Sequence, residues 1–275
     1  MDDLVSTQWL ADHLDDIVPV DCSWFMPSSG RDGRAEFAAS HIPGARFLDI
    51  EEVASYDENG PPHMLPTRVG FGSAMEKIGL GKDDAIVAYD NSPLRTAARG
   101  WFMLRHFGAE RVAILDGGFQ KWMTEGRATE SGEAKARDVR FEASEKPDEV
   151  VTLAQVLAGA GPLVDARGKG RFEGTEADPR PNVAGGHIPG SRNVPFASLY
   201  NEDGTFKSEA EIRRLFAAAG ADPEAPFVAT CGSGVTANSL IFAARRIGNR
   251  ETRLYDGSWS EYGADPKTPK RTGPA

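Results

Sequence analysis

The sequence is poor in cysteine and has no apolar run of membrane-spanning length. Two cysteines in 275 residues cannot build a disulfide framework, and no CxxC or Cys/His spacing indicates a zinc site. The amino-terminal segment MDDLVSTQWL has neither the basic region nor the apolar region of a signal peptide. We therefore expect a protein without membrane association, located in a reducing cytoplasm.

Positive charge is scarce as well. Acidic residues outnumber basic residues by 41 to 31, which gives a formal net charge of −10. Because nucleic-acid binding needs clustered Lys and Arg, this balance argues against a nucleic-acid partner. A hydrophobic content of 40% is typical of a globular protein with a buried core. No exposed apolar repeat is evident, so a monomer is expected.

What the sequence does contain is an internal repeat. Four landmarks recur in one order at a spacing of about 140–146 residues, which is a domain duplication because solenoid repeats run at roughly 20–50 residues. The charged stretch before Val150 carries Pro147 and is typical of a linker. We predict an N-terminal domain (1–135), a linker (136–149) and a C-terminal domain (150–275). The paired landmarks are Asp21 and Asp165 in VD, His41 and His187 in HIPG, residues 86–98 and 227–239, and residues 115–122 and 254–262.

Each half alternates strand and helix signals. The run PFVAT (226–230) has the length of a buried strand, and TANSLIFAARRIG from Thr236 has a helical apolar stripe that ends before Gly248. Residues 5–14 and 152–159 are predicted as an opening helix in each half. The fold class is therefore α/β, with two similar domains, each an open, mostly parallel sheet flanked by helices. In such sheets ligands bind beyond the carboxyl ends of the strands.

Cys231 lies at such a strand end, in VATCGSGVTAN. Gly232 and Gly234 can adopt positive φ, so successive N–H groups can turn inward above the start of the next helix. These groups and the helix dipole favour thiolate over thiol, which makes Cys231 a candidate nucleophile. The alternative is a buried structural cysteine, the usual state of a free thiol. Cys22, which has no glycine loop behind it, is predicted to be of that kind.

The first half has Asp90 at the position of Cys231, followed by NSPLR instead of GSGVT. A carboxylate cannot perform thiolate chemistry. The N-terminal domain is therefore predicted to be catalytically silent.

Together the VD strand ends, the HIPG turns, the DG(G/S) segments and the loop CGSGVT resemble the tandem-domain rhodanese family of sulfurtransferases. The resemblance covers nearly the whole chain and implies two rhodanese-like domains. The loop is similar to that of the branch that uses 3-mercaptopyruvate, whereas thiosulfate enzymes of this build carry basic residues after the cysteine, as in CRKGVT. Thiosulfate is a small dianion, which such basic side chains help to bind.

The resemblance also implies roles for particular residues. Cys231 would form a persulfide, and a thiol, thioredoxin or cyanide would then accept its sulfur. Ser233 would support catalysis and His41 would be an accessory group. The family pattern requires no metal and no organic cofactor. The substrate-binding residues so implied, for a small anionic sulfur donor, are Arg171, Arg180, Gly232, Gly234, Val235 and Thr236.

Several alternatives remain open at this point. The enzyme could instead be a thiosulfate:cyanide sulfurtransferase, or the chain a non-catalytic sulfur carrier. Arg171 and Arg180 could be solvated loop residues, and His41 could pack only within its own turn. A Cys-x5-Arg phosphatase is excluded because position 237 is alanine. The segment PPHMLPT (61–67) resembles a family loop, and the sequence assigns it no role.

Overall fold

The structure is a computed structural model that describes residues 1–55, 60–135 and 137–275. The chain divides into two compact units. The first comprises Met1–Ser55, Leu65–Lys146 and Asn201–Phe206, and the second comprises Tyr56–Met64, Pro147–Tyr200 and Lys207–Ala275.

The first unit alternates short strands and helices. Its strands are β1 (Leu4–Val5), β2 (Val18–Asp21), β3 (Arg46–Phe47), β4 (Ile86–Tyr89) and β5 (Val112–Leu115). Its helices are α1 (Thr7–Asp12), α2 (Gly33–Ala39), α3 (Ile50–Val53), α4 (Arg68–Lys77), α5 (Ala97–His106) and α6 (Gly118–Thr124), with a 3-10 turn at Pro27–Ser29.

The second unit repeats this plan. Its strands are β6 (Val150–Val151), β7 (Leu163–Asp165), β8 (Arg192–Asn193), β9 (Val228–Thr230) and β10 (Arg253–Tyr255). Its helices are α7 (Leu153–Leu157), α8 (Lys169–Glu173), α9 (Glu209–Ala218), α10 (Ala237–Arg246) and α11 (Ser258–Tyr262), with 3-10 turns at Pro147–Glu149 and Phe196–Leu199.

Both sheets have the same strand order. The first runs β1-β5-β4-β2-β3 and the second β6-β10-β9-β7-β8, and each named strand pair is parallel. The predicted α/β fold with two mostly parallel sheets is therefore confirmed. Strands β4 and β9 hold the central position in their sheets, so the residues that follow them reach the edge where parallel sheets bind ligands.

Burial explains why β9 and α10 form where the sequence predicts them. Val228 and Ala229 are fully buried, as expected for a central strand covered on both faces. The predicted helical stripe is also buried, and α10 stops two residues before Gly248, whose φ is +99°. That stripe consists of Ala237, Leu240, Ile241 and Ala244.

The opening helices are both capped by hydroxyl side chains. The Ser6 hydroxyl accepts a hydrogen bond from the Trp9 N–H at the start of α1. At the start of α7, Thr152 and Gln155 form a reciprocal capping box. The predicted helices at 5–14 and 152–159 are thus present, although each is shorter than its sequence signal.

The predicted linker differs from the structure. Residues up to Lys146 belong to the first unit, and Phe141 is buried there, edge-on against Phe71 with ring centroids 5.5 Å apart. The N–H of Lys82 donates to the carbonyl of Arg140. The high charge of this segment suggested a linker, but Phe141 and Ala143 are buried and anchor it to the core.

Among the described residues, no helix has both the length and the apolar character needed to cross a membrane.

We predict that Phe141→Ala lowers the free energy of unfolding of the first unit by about 3–5 kcal/mol, because it removes a buried aromatic ring. Urea unfolding followed by tryptophan fluorescence measures this, since four of the five tryptophans lie in the first unit. Asp138→Ala, at an exposed position nearby, is the control and should change little. Equal, small effects of the two substitutions would mean that the segment is a linker after all.

Candidate active site

The loop that follows β9 is held by its carbonyl groups. The carbonyl of Cys231 accepts the N–H of Trp259 at 3.0 Å, and that of Gly232 accepts the N–H of Ser260 at 2.8 Å. Both donors lie in the first turn of α11. The end of β9 is therefore fastened directly to the segment that follows β10.

Two further loop carbonyls bind one side chain. The amide nitrogen of Asn238 donates to the carbonyls of Gly234 and Val235, at 2.6 and 2.9 Å. A trans peptide holds its N–H antiparallel to its C=O. With four carbonyls turned toward α11 and Asn238, the N–H of the residue after each must point away from those partners. The N–H groups of Gly232 and Ser233 therefore point away from α11, and those of Val235 and Thr236 point away from the Asn238 amide.

Ser258 supplies the acceptor for the remaining N–H groups of the loop. Its hydroxyl oxygen accepts the N–H of Cys231 at 3.0 Å and that of Gly234 at 3.1 Å, and its proton goes to the carbonyl of Tyr255. Ser258 is fully buried and has a φ of +50°, a value that non-glycine residues seldom adopt. The hydroxyl therefore offsets a local strain by satisfying buried donors.

In the first unit the corresponding loop, which follows β4, is held by other contacts. Gly118 corresponds to Ser258 and has a φ of +59°, but it brings no hydroxyl. Instead the carboxylate of Asp90 accepts the N–H of Ser92 at 2.9 Å and that of Ala97 at 2.7 Å. Burial raises the pKa of Asp90, although these hydrogen bonds oppose the shift. Asp90 thus holds its own loop, and the silent role of this half stays a prediction.

Gly234 has the predicted positive φ, at +75°, whereas Gly232 is not among the positive-φ glycines of the described chain. Gly232 is required instead because a side chain there would collide with two neighbouring side chains. A methyl group added there would lie 2.8 Å from Nη2 of Arg180 and 3.1 Å from Nη2 of Arg171. The structure therefore brings both predicted arginines to the cysteine loop, and the missing side chain at position 232 admits them.

The two arginines share one carboxylate. Asp178, whose side chain is only 2% exposed, accepts Arg171 Nη2 at 2.7 Å and Arg180 Nη1 at 2.9 Å. Burial alone would raise the pKa of Asp178, but the hydrogen bond from Arg171 and the charges of both arginines hold it below its ordinary value. Arg171 Nε is buried and has no hydrogen-bond partner within the described part of the chain. Sequence reasoning missed Asp178.

Ser233 has a partner that the sequence did not identify. Its hydroxyl lies 2.9 Å from Nδ1 of His63, and the tautomer of the ring decides which atom donates. His63 belongs to the second unit although it precedes most of that unit in sequence, and its φ is +62°. It lies in PPHMLPT, the segment left without a role, and the only signal was its resemblance to a family loop.

His41 does not make this contact. It is buried in its own HIPG turn, where Nδ1 bonds the carbonyl of Phe37 at 2.7 Å and the ring stacks on Phe37 at 4.0 Å. His187 stacks on Phe172 in the same way, at 3.9 Å. The same packing arrangement occurs in both units, and the histidine that contacts Ser233 is His63.

The other predicted site residues line the same loop. Val235 is buried, and Thr236 is half-buried as the residue before α10, with helical φ and ψ. Cys231 itself is 1% exposed.

Cys22 is fully buried, and burial raises the pKa of its thiol well above the ordinary value, in agreement with its predicted inert character. Within residues 1–55, 60–135 and 137–275, no group of acidic, His and Cys side chains could hold a metal ion.

Comparison with known proteins places these features in context. Residues 6–125 and 149–265 match the profile of the Rhodanese-like domain. The 3-mercaptopyruvate sulfurtransferase of Mus musculus is 40% identical over 272 residues, which cover 94% of this chain and 91% of the mouse protein. The thiosulfate sulfurtransferase of Rattus norvegicus is 38% identical over 275 residues, covering 94% and 91%.

The fold has close counterparts among solved structures. The crystal structure of SseA from Escherichia coli, described with the 3-mercaptopyruvate sulfotransferases, matches with a TM-score of 0.85 at 35% identity. The match covers 95% of this chain and 100% of that one.

We predict that Ser258→Ala destabilises the cysteine loop, because two buried N–H groups lose their acceptor at a cost of about 1–3 kcal/mol each. Hydrogen exchange measured by mass spectrometry should show faster exchange in peptides that cover residues 228–238. Ser260→Ala is the matched control, because that hydroxyl donates to the carbonyl of Gly257 and not to the cysteine loop within the described residues. Unchanged exchange in Ser258→Ala would mean that the hydroxyl does not hold the loop.

Proposed function

The chain belongs to the rhodanese family, with two rhodanese-like domains in tandem, and from this premise we propose that it is a 3-mercaptopyruvate sulfurtransferase. The names of its relatives support sulfurtransferase activity. We further propose that Cys231 carries the transferred sulfur as a persulfide, that pyruvate is released, and that a thiol, thioredoxin or cyanide accepts the sulfur.

The observation that carries this proposal is the approach of two guanidinium groups to the backbone of the cysteine loop. Arg171 and Arg180 both reach the Cβ position of Gly232. A guanidinium can hold a carboxylate through two parallel hydrogen bonds, which fixes both charge and orientation. An α-keto acid bound in this way would place its remaining atoms against the loop that begins with Cys231.

The first half-reaction breaks one bond and forms another. The Cys231 thiolate attacks the sulfur of 3-mercaptopyruvate, forming an S–S bond while the C–S bond breaks. The electron pair of the C–S bond remains on the organic product as the enolate of pyruvate, which takes up a proton to become pyruvate. The cysteine is left as a persulfide, and no external oxidant or reductant is needed.

Ser233 and His63 are suited to stabilise the negative charge of the enolate and to supply the proton that it takes up. Their hydrogen bond of 2.9 Å gives the serine hydroxyl a partner that can donate or accept a proton. The Ser233 hydroxyl can also donate a hydrogen bond to the developing enolate oxygen. The N–H groups of Gly232 and Ser233, which point away from α11, are further donors proposed for the anionic persulfide.

In the second half-reaction an acceptor thiolate attacks the outer sulfur of the persulfide. The S–S bond to Cys231 breaks, and its electron pair regenerates the Cys231 thiolate. This is a ping-pong scheme in which one cysteine serves both half-reactions. The two unpaired cysteines of the chain suit the reducing cytoplasm that such thiol acceptors require.

Thiosulfate is the second candidate donor, because a thiosulfate sulfurtransferase is among the relatives. The loop CGSGVT has no basic side chain of its own for a dianion. A sulfur-carrier role without turnover is less well supported, since the cysteine, its serine and both arginines are all present.

We expect the reduced protein to gain the mass of one sulfur on incubation with 3-mercaptopyruvate. Intact-mass spectrometry measures this gain, which dithiothreitol should reverse and Cys231→Ser should abolish. Cys22→Ser is the control and should still load sulfur. Equal loading by thiosulfate would replace the proposed donor, and loading by neither compound would leave the carrier as the better description.

We expect Ser233→Ala and His63→Asn each to slow persulfide formation by about 10²-fold or more, as for the loss of a general acid–base group. Because the two side chains would act together in one proton transfer, the double variant should be little slower than either single variant. Single-turnover release of pyruvate measures the rates.

His41→Asn provides the comparison for His63→Asn. It should lower stability, because it disturbs a buried stacked ring, and yet leave the rate of persulfide formation nearly unchanged. A rate loss in His41→Asn equal to that in His63→Asn would restore the accessory role first assigned to His41.

A further inference from the structure

Asp178 controls the charge beside the cysteine loop. It is the buried carboxylate that accepts hydrogen bonds from both arginines, at 2.7 and 2.9 Å, and it also accepts the backbone N–H of Arg180 at 3.1 Å. Two guanidinium groups and one carboxylate have a combined charge of +1. The arginines alone would have a charge of +2.

The same carboxylate brings the two cations together. Arg171 and Arg180 have exposed fractions of only 24% and 22%, and both approach the Cβ position of Gly232. Two like charges this close repel each other when water is largely excluded. Asp178 relieves that repulsion, and it binds Nη2 of Arg171 and Nη1 of Arg180, so that each guanidinium keeps a second Nη for a ligand.

We propose that Asp178 is a specificity-determining residue, which sets the anion site at a single positive charge and so favours a donor with one carboxylate over dianionic thiosulfate. This inference rests on the proposed function, because it concerns the donor site of the same reaction. It locates part of the discrimination outside the cysteine loop, in a carboxylate that need not touch the donor.

The physical reason is that electrostatic binding energy scales with ligand charge. Replacing Asp178 by a neutral side chain makes the local potential more positive by a fixed amount. A dianion gains about twice as much from that change as a monoanion does. The preference between the two donors must therefore shift toward thiosulfate, whatever happens to the absolute rates.

The test compares Asp178→Asn with Asp178→Glu in kcat/KM for the two donors. We expect Asp178→Asn to lower the ratio of mercaptopyruvate to thiosulfate activity by about tenfold, a shift that corresponds to a modest change in charge interaction near the protein surface. Asp178→Glu keeps the charge and should keep the ratio, even if altered geometry lowers both rates. Parallel losses for both donors in Asp178→Asn would mean a merely structural role and would overturn the proposal.

Glu173→Gln is the matched control. Glu173 lies in α8 beside Arg171, but its carboxylate pairs with Lys169 at 3.8 Å. The substitution changes the net charge of the protein by the same amount as Asp178→Asn. A ratio shifted equally by both substitutions would indicate a general charge effect and would contradict a specific role of Asp178.

A binding measurement separates this proposal from the proposed function. Calorimetry on Cys231→Ser, with and without Asp178→Asn, uses pyruvate as the unreactive monoanion and sulfate as the dianion. The ratio of the sulfate Kd to the pyruvate Kd should fall when Asp178 is replaced. An unchanged ratio of the two Kd values would contradict the inference about Asp178. Failure of the native protein to load sulfur from mercaptopyruvate would instead contradict the proposed function.

Discussion

The orientation of the peptide groups between Cys231 and Thr236 is the constraint on which the candidate site depends. Four carbonyls of this loop are turned toward α11 and Asn238, and the hydroxyl of Ser258 takes two of the N–H groups. Buried peptide groups must be paired, so this pattern leaves few other conformations to the loop. It also turns the N–H groups of Gly232 and Ser233 away from α11.

Comparison of the two units separates what the fold requires from what the chemistry requires. The N–H of Phe119 donates to the carbonyl of Asp90 at 2.9 Å, as that of Trp259 donates to Cys231 at 3.0 Å. The same backbone connection therefore exists in both loops. In the first unit the acidic side chain accepts N–H groups of its own loop, whereas in the second unit the hydroxyl of Ser258 accepts a different pair of loop N–H groups. The position of the carboxylate is then taken by the thiol of Cys231.

Sequence patterns were most reliable where one short segment carried the whole signal. The strand–cysteine–helix order around Cys231 and the paired HIPG turns predicted the fold and the position of Cys231 at a strand end. They failed for the linker, where Phe141 and Ala143 are buried and the charged Arg137 pairs with Asp84 of the first unit. They also failed for His63, which lies 170 residues before Ser233 in the chain. No local periodicity can report a contact over such a distance.

By itself the sequence determined the duplicated α/β domains, the position of Cys231 at a strand end and the glycines that follow it, because strand and helix signals and turn chemistry are local. Only the tertiary structure decided which side chains surround that loop. Asp178 joins two arginines, His63 contacts Ser233, and Ser258 contacts the cysteine loop from the segment that follows the neighbouring strand β10. Each of these contacts needs distant segments to be folded against one another, and no residue pattern along the chain encodes such a distance.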